Sequence, residues 1–328
     1  MDFNIAKCGH TELYVTDLDR SFDFYVHLLG FVLTERTDNC LYLRALEERE
    51  HHSLVLRQAD VPRVSHLAFK VGSDTDLDVL GSLFERQGRP VKHISAGDPE
   101  NHGHGRSIRV QDPSGLPLEF YAHMNSAERM LQRFDQYRGA QPLRLDHFNC
   151  QVPDVDVAYA WYTQHLKFRL SEYTETDDGR LWAAWLFRKQ TVHDLALMNG
   201  LGPRLHHVAF WFESALNLIR ACDILASTGW AHSIERGPGR HGLSNALFLY
   251  LRDPDGHRLE FYASDYLTAD PELEPIRWSI HDVRRQTFWG HKAPDCWFDE
   301  ATLVEDIFTG ECIEPKPGQL VDRPQFAT

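Results

Sequence analysis

The segment RVQDPSGLPLEFYA, residues 109–122, returns later in the chain as YLRDPDGHRLEFYA, residues 250–263. Each copy reads as a hairpin, with a D-P-x-G turn between two short apolar strands. Each also sets a glutamate, Glu119 or Glu260, inside the second of those strands. Two further segments repeat in the same order. VSHLAFKV (64–71) matches LHHVAFWF (205–212), and GHTELYVTDLDRSFDFYVHLLGF (9–31) matches DHFNCQVPDVDVAYAWYTQHLKF (146–168). The first of these pairs, in chain order, is offset by 137 residues and the other two by 141, so the second copy carries four added residues. Three ordered matches at a nearly constant offset mark an internal duplication. The chain is therefore two related halves joined near 125–143.

Within a half, TELYV alternates like a strand, and DLDRSFDFYVHLLG has helical spacing at Leu18, Phe22, Tyr25 and Leu29 before a closing glycine. CLYLRAL, HSLVLRQ and VSHLAFKV read as short strands, and DLDVLGSLFERQG as a second helix. The expected order is strand, helix and three strands, twice per half: an α+β fold of paired βαβββ modules. We expect a first domain over 1–135, a second over 143–265 and a closing segment over 266–328. The polar, Pro-containing end, 313–328, reads as loosely ordered.

The totals narrow the partners. The 328 residues are 42% apolar, enough for a sizeable core, and the net charge of -14 disfavours nucleic acid and anionic membrane surfaces. The six cysteines are far apart with no C-x-x-C pair, which reads as reduced thiols. No signal peptide and no apolar run of 18 residues is found, so a cytoplasmic protein is expected.

A charged glutamate in so apolar a strand needs a partner. The repeat supplies one set per half: His10, His66 and Glu119, then His147, His207 and Glu260. It also selects His207 over His206, because the offset linking Glu119 to Glu260 links His66 to His207. By strand alternation, His206 belongs with Val208 and Phe210 on the opposite face. Two histidines and a carboxylate from three strands suit a metal with open positions, either a facial-triad Fe(II) site or a zinc hydrolase.

RLDHFN (144–149), RKQTVHDLAL (188–197), RLHHVAF (204–210), ERGPGRHGLSNALFLYLRDPDGHRLEFY (235–262) and HDVRRQTFWG (281–290) resemble the extradiol ring-cleaving dioxygenases of the vicinal oxygen chelate superfamily. The resemblance covers roughly residues 5–300. It implies a glyoxalase-like fold of two open, barrel-like domains with a C-terminal lid. It also implies cleavage of a catechol beside its two hydroxyls by O2 at Fe(II), or at Mn(II), with 3,4-dihydroxyphenylacetate the expected substrate. The metal ligands would be His147, His207 and Glu260. His193 would take and return protons, and Tyr250 would hydrogen-bond a substrate oxygen. Asn149 would reach the substrate or O2, Trp185 would pack on the ring, and His241 would stand behind them. Arg236 and Arg285 would hold the substrate carboxylate, with Arg284 facing solvent. A homotetramer is implied.

Family members commonly lack metal in the first half, so His10, His66 and Glu119 depart from the pattern. Their surroundings differ from the second half: Arg109 stands where Tyr250 would, Glu12 where Asn149 would, and His52 where His193 would. A relic site without turnover is the expectation. The competing readings are a glyoxalase-like metal isomerase, which tends to use four protein ligands, and a non-catalytic ligand-sequestering module.

Overall fold

The structure, a computed structural model, describes residues 2–324. The first half runs β1 (Ile5–Val15), α1 (Leu18–Phe22, continued by a π-helical turn over Asp23–Leu28), β2 (Val32–Arg36), β3 (Cys40–Arg44) and β4 (Leu54–Gln58). A second module follows: β5 (Arg63–Val71), α2 (Asp74–Arg86), β6 (Lys92–Ile94), β7 (Ser107–Gln111) and β8 (Pro117–Tyr121). The second half repeats this with β9 (Arg144–Val152), α3 (Val155–Leu166), β10 (Arg169–Glu175), β11 (Leu181–Phe187) and β12 (Leu195–Asn199). Its second module is β13 (Arg204–Trp211), α4 (Ala215–Ser227), β14 (Ile234–Arg240), β15 (Leu247–Arg252) and β16 (Arg258–Ala263). Strands β2 and β6 escape a reading of the sequence because both lie at sheet edges. β2 has no fully buried residue and β6 has three residues, so neither shows clear alternation.

Sequence chemistry places the helix starts. Asp17, Ser73 and Asp154 each accept a hydrogen bond from a backbone N–H three residues on. In the two hairpin turns, Asp112 accepts from the amides of Ser114 and Leu116, and Asp253 from those of Asp255 and His257.

Each half forms one mixed sheet. The first has the order β2-β3-β4-β1-β5-β8-β7-β6, and the second β10-β11-β12-β9-β13-β16-β15-β14. In both, the first strands of the two modules pair antiparallel in the middle, β1 on β5 and β9 on β13. The last strand of the second module runs parallel beside them, β8 on β5 and β16 on β13. The three strands that carry each His/His/Glu set are thus adjacent at the centre of a sheet.

The other face of those strands is apolar. Leu67, Phe69, Leu118 and Phe120 join Phe148, Val208, Leu259 and Phe261 in one buried cluster common to both halves. Repeat-related pairs interlock there: Phe31 meets Phe210 at 4.6 Å, and Phe168 meets Phe69 at 5.6 Å. Tyr25 donates to Asp253 of the opposite half at 2.9 Å, and Tyr162 donates to Asp112 at 3.0 Å. A buried Phe contributes about 1.5–3 kcal/mol and a hydrogen bond to a carboxylate about as much, but the aromatic and aliphatic side chains are far more numerous. The shared apolar layer dominates the join, and the Tyr–Asp pairs fix its register.

Beyond 265 the chain returns to the second half. β17 (Ile276–Ser279) extends the sheet beside β10, and β18 (Thr302–Leu303) pairs with β13. The loosely ordered tail expected from composition is not what the described part shows. Lys316 bridges to Gly202, the Gln319 amide donates to the Pro153 carbonyl, and the Trp182 indole donates to the Asp322 carbonyl. Backbone and indole partners supplied by the body, invisible in composition, hold it; residues 325–328 lie outside the described residues. Among the described residues no helix is long and apolar enough to cross a membrane.

Candidate metal centre

Strand register assembles the site. His147 on β9 and Glu260 on β16 both stand opposite Ala209 on β13, so a single methyl separates two candidate ligands. Tyr250 on β15 is opposite Glu260, and Arg236 on β14 is opposite Tyr250. In the next row His207 faces Asn149, Asn149 faces Ala196, and Ala196 faces Trp185. His147 Nε2 and His207 Nε2 each lie 3.0 Å from Glu260 Oε2 and 3.4 Å from one another. All three side chains are at most 3% exposed.

The outer nitrogens of both imidazoles are held. His147 Nδ1 lies 2.8 Å from Asp146 Oδ2. His207 Nδ1 lies 2.7 Å from His206 Nδ1, and His206 Nε2 lies 2.9 Å from the Trp297 carbonyl. A carbonyl only accepts, so His206 carries its hydrogen on Nε2. Its Nδ1 then accepts from His207, which leaves the His207 Nε2 lone pair facing Glu260. Asp146 does the same for His147. The inward lone pairs, and a buried Glu260 Oε1 with no hydrogen-bond partner, fit a divalent ion. The set is a two-histidine, one-carboxylate metal site.

Alternation had put His206 on the core face. The structure instead brings it to the pocket, because a register shift between Leu205 and His207 against β9 breaks the period-two pattern. His206 and Asp146 are functional neighbours that the sequence reading did not single out. Their only signal was adjacency to a candidate ligand, in HH and DH.

Electrostatics follow burial and neighbours. Burial opposes charge on Glu260, yet His207 and the other imidazoles beside it hold it well below the ordinary carboxylate range. Burial pushes His207 down to about 4. It also drives His193 and His206 well below the usual imidazole value, with like charge from neighbours adding to it. For His147 burial is outweighed by Asp146 and Glu260, and its pKa rises.

Around the three ligands lies a pocket lined by Asn149, Trp185, His193, His241 and Tyr250, together with Gln286 and Trp297 from the segment after 265. The His193 ring lies 3.8 Å from that of His147. Tyr250 and His241 Nε2 are 2.9 Å apart, and His241 Nε2 is 3.5 Å from Glu260 Oε1. The two arginines stand behind the wall rather than on it. Arg236 donates to Thr287 Oγ1 at 2.7 Å and to the Gln286 carbonyl at 3.2 Å, with its guanidinium 4.6 Å from the Trp297 ring. Arg285 is fully buried and donates to Thr174, while its Nε and Nη2 have no hydrogen-bond partner. Burial lowers the two to about 10 and about 9. Arg284 is exposed and paired with Asp282.

The first half gathers His10, His66 and Glu119 in the same way, but in a tighter pocket. Arg109 Nε donates to Glu119 Oε2 at 2.6 Å, and Arg57 grips Glu12 through two hydrogen bonds of 2.8 and 2.9 Å. By the repeat, Arg109 and Glu12 stand where Tyr250 and Asn149 border the second-half pocket, and each is tied into an ion pair instead.

Comparison with known proteins agrees with the duplication. The model of the Glyoxalase/Bleomycin resistance protein/Dioxygenase superfamily matches residues 7–120 and again 144–261. The manganese-dependent 2,3-dihydroxybiphenyl 1,2-dioxygenase of Geobacillus genomosp. 3 is 32% identical over 304 residues, 88% of this chain and 95% of that protein. The homoprotocatechuate 2,3-dioxygenase of Arthrobacter globiformis superposes with a TM-score of 0.90 at 44% identity, covering 96% of this chain and 95% of that one. The anaerobic complex of the Brevibacterium fuscum homoprotocatechuate 2,3-dioxygenase with 3,4-dihydroxyphenylacetate gives a TM-score of 0.92 at 41% identity, covering 96% and 97%.

Proposed function

The chain belongs to the Glyoxalase/Bleomycin resistance protein/Dioxygenase superfamily, as one of its extradiol catechol dioxygenases, and from that premise we propose its substrate, its ion and the roles of its pocket residues. The substrate is 3,4-dihydroxyphenylacetate. O2 opens the ring beside the diol, and both oxygen atoms enter a ring-opened semialdehyde. The observation that carries this reading is the buried His147, His207 and Glu260 set opening onto a pocket backed by two buried arginines.

The ion is Fe(II), with Mn(II) the alternative raised by the manganese-dependent relative. When bound, it supplies Lewis acidity to a chelated diol and a redox path from diol to O2. The pocket residues do the rest. His193 is neutral at neutral pH because burial depresses it, so its imidazole accepts a diol proton and later returns one. Tyr250 keeps its proton, since burial and then Glu260 raise its pKa well above the usual phenol value, and it donates to a diol oxygen. The Asn149 carbonyl oxygen is buried without a partner and is free to orient substrate or O2. Trp185 covers the ring face. Arg236 places positive charge behind Tyr250 and Trp297, and Arg285 places it beside Trp182, against a chain of net charge -14, and so they favour a carboxylate arm. We extend the reading to a homotetramer, which light scattering would register as four chain masses.

A panel of 3,4-dihydroxyphenylacetate, 2,3-dihydroxybiphenyl and unsubstituted catechol tests the substrate. The carboxylated catechol should give the highest kcat/KM. Preference for either uncharged diol would move the assignment to another substituted catechol.

A further inference from the structure

We propose that the first half holds a divalent cation of its own, a closed structural site made by His10, His66, Glu119 and His104, of the kind suited to zinc. His104 comes from the loop before β7, and no repeat match pointed to it. Its Nε2 lies 3.7 Å from Glu119 Oε1. His10 Nε2 lies 3.3 Å from the same oxygen and 3.1 Å from His66 Nε2. Zinc bonds of about 2.0–2.1 Å in a tetrahedron put neighbouring donors about 3.3 Å apart. The observed separations bracket that value.

A second observation concerns orientation. His66 Nδ1 lies 3.1 Å from Ser65 Oγ, and Ser65 donates to Glu305 Oε1 at 3.0 Å. A carboxylate only accepts, so the serine oxygen accepts from His66 Nδ1, and the His66 Nε2 lone pair faces the cluster. Ser65 stands where the repeat puts His206. Glu305, like Trp297, arrives from the segment after 265. The chain therefore aims His66 inward by the same device that aims His207. Such outer partners are what metal-bound histidines ordinarily have. A third observation is Glu119 Oε1 itself, fully buried and without a hydrogen-bond partner.

The same geometry excludes turnover. Arg109 ties up Glu119 Oε2, so the carboxylate offers one oxygen. Glu12, held by Arg57, and Arg109 stand where the second half has Asn149 and Tyr250, so the groups that would handle a diol are missing. Four protein donors close the sphere, as structural zinc sites do, whereas the second half keeps positions open. A set rich in imidazole also favours zinc over iron(II) or manganese(II).

Metal content of the full chain tests this without any reading of activity. Chelator-stripped protein is loaded with Zn2+, or with Co2+ as a coloured probe, dialysed and analysed for bound ion. Two equivalents per chain are expected for wild type. One is expected for Glu260→Gln, which retains the visible Co2+ band of a four-coordinate site. One is expected for the double variant His66→Gln, His104→Gln, which loses that band. A wild type that never exceeds one equivalent would overturn the proposal. So would a Glu260→Gln protein that binds none, a result that needs no first-half variant to fold.

Discussion

The Nδ1 atoms of His206 and His207 lie 2.7 Å apart, although neighbours on a regular strand point to opposite faces. The register shift between Leu205 and His207 makes the approach possible. The Trp297 carbonyl on the far side of His206 then fixes which nitrogen of His207 faces the site.

Replacing His206 by Phe removes the acceptor for His207 and frees its ring. Metal affinity should fall about 10–100-fold, the usual effect of losing an outer partner of a ligand histidine. Ring cleavage should recover at saturating metal. Unchanged affinity in a direct metal titration would count against the relay.

Ala209 is the small residue between His147 and Glu260. Val at this position adds two methyls where the ligands converge. Overpacking of this kind costs about 1–3 kcal/mol, so the protein should still fold but bind less than one equivalent at the second-half site. Full loading of Ala209→Val would show that the row is not the limiting geometry.

Arg285 is buried with two guanidinium nitrogens lacking partners. Arg285→Met removes one of the two positive charges behind the pocket wall, so it should raise KM for 3,4-dihydroxyphenylacetate several-fold and leave 4-methylcatechol unchanged. The melting temperature should not fall, because an unsatisfied buried charge has been removed. Equal losses on both catechols would detach Arg285 from the carboxylate.

Acid should destabilise the metal-free protein early. Burial holds His104 and His207 down at about 4. In the unfolded chain each titrates near 6.5, so between pH 6.5 and 4 the unfolded state binds more protons. Stability then falls as pH drops through that window, by up to about 3 kcal/mol for each group. Urea midpoints at pH 7.5 and 5.5 should differ, and His104→Gln should narrow the gap. Midpoints independent of pH would contradict the burial of neutral imidazoles.

The duplicated hairpin made the paired modules legible, and with them the three central strands, because period-two alternation and D-P-x-G turns are local signals. His147, His207 and Glu260 were readable for the same reason: a repeat offset is arithmetic. His206 was misread because a bulge overrides alternation, and no residue in LHHVAF announces one. His104 and Glu305 were illegible as partners of the first cluster, since they reach it from a loop and from the returning C-terminal segment. The edge strands β2 and β6 were missed for want of a buried face.

The central claim is that ring opening requires an ion held by His147, His207 and Glu260. The most direct test is oxygen uptake by the Fe(II)-loaded protein with 3,4-dihydroxyphenylacetate, run beside Glu260→Gln. The wild type should consume one O2 per substrate and form a yellow semialdehyde, and the variant should do neither while remaining folded. Yellow product from the variant, or a colourless product cleaved between the hydroxyls by the wild type, would contradict the account.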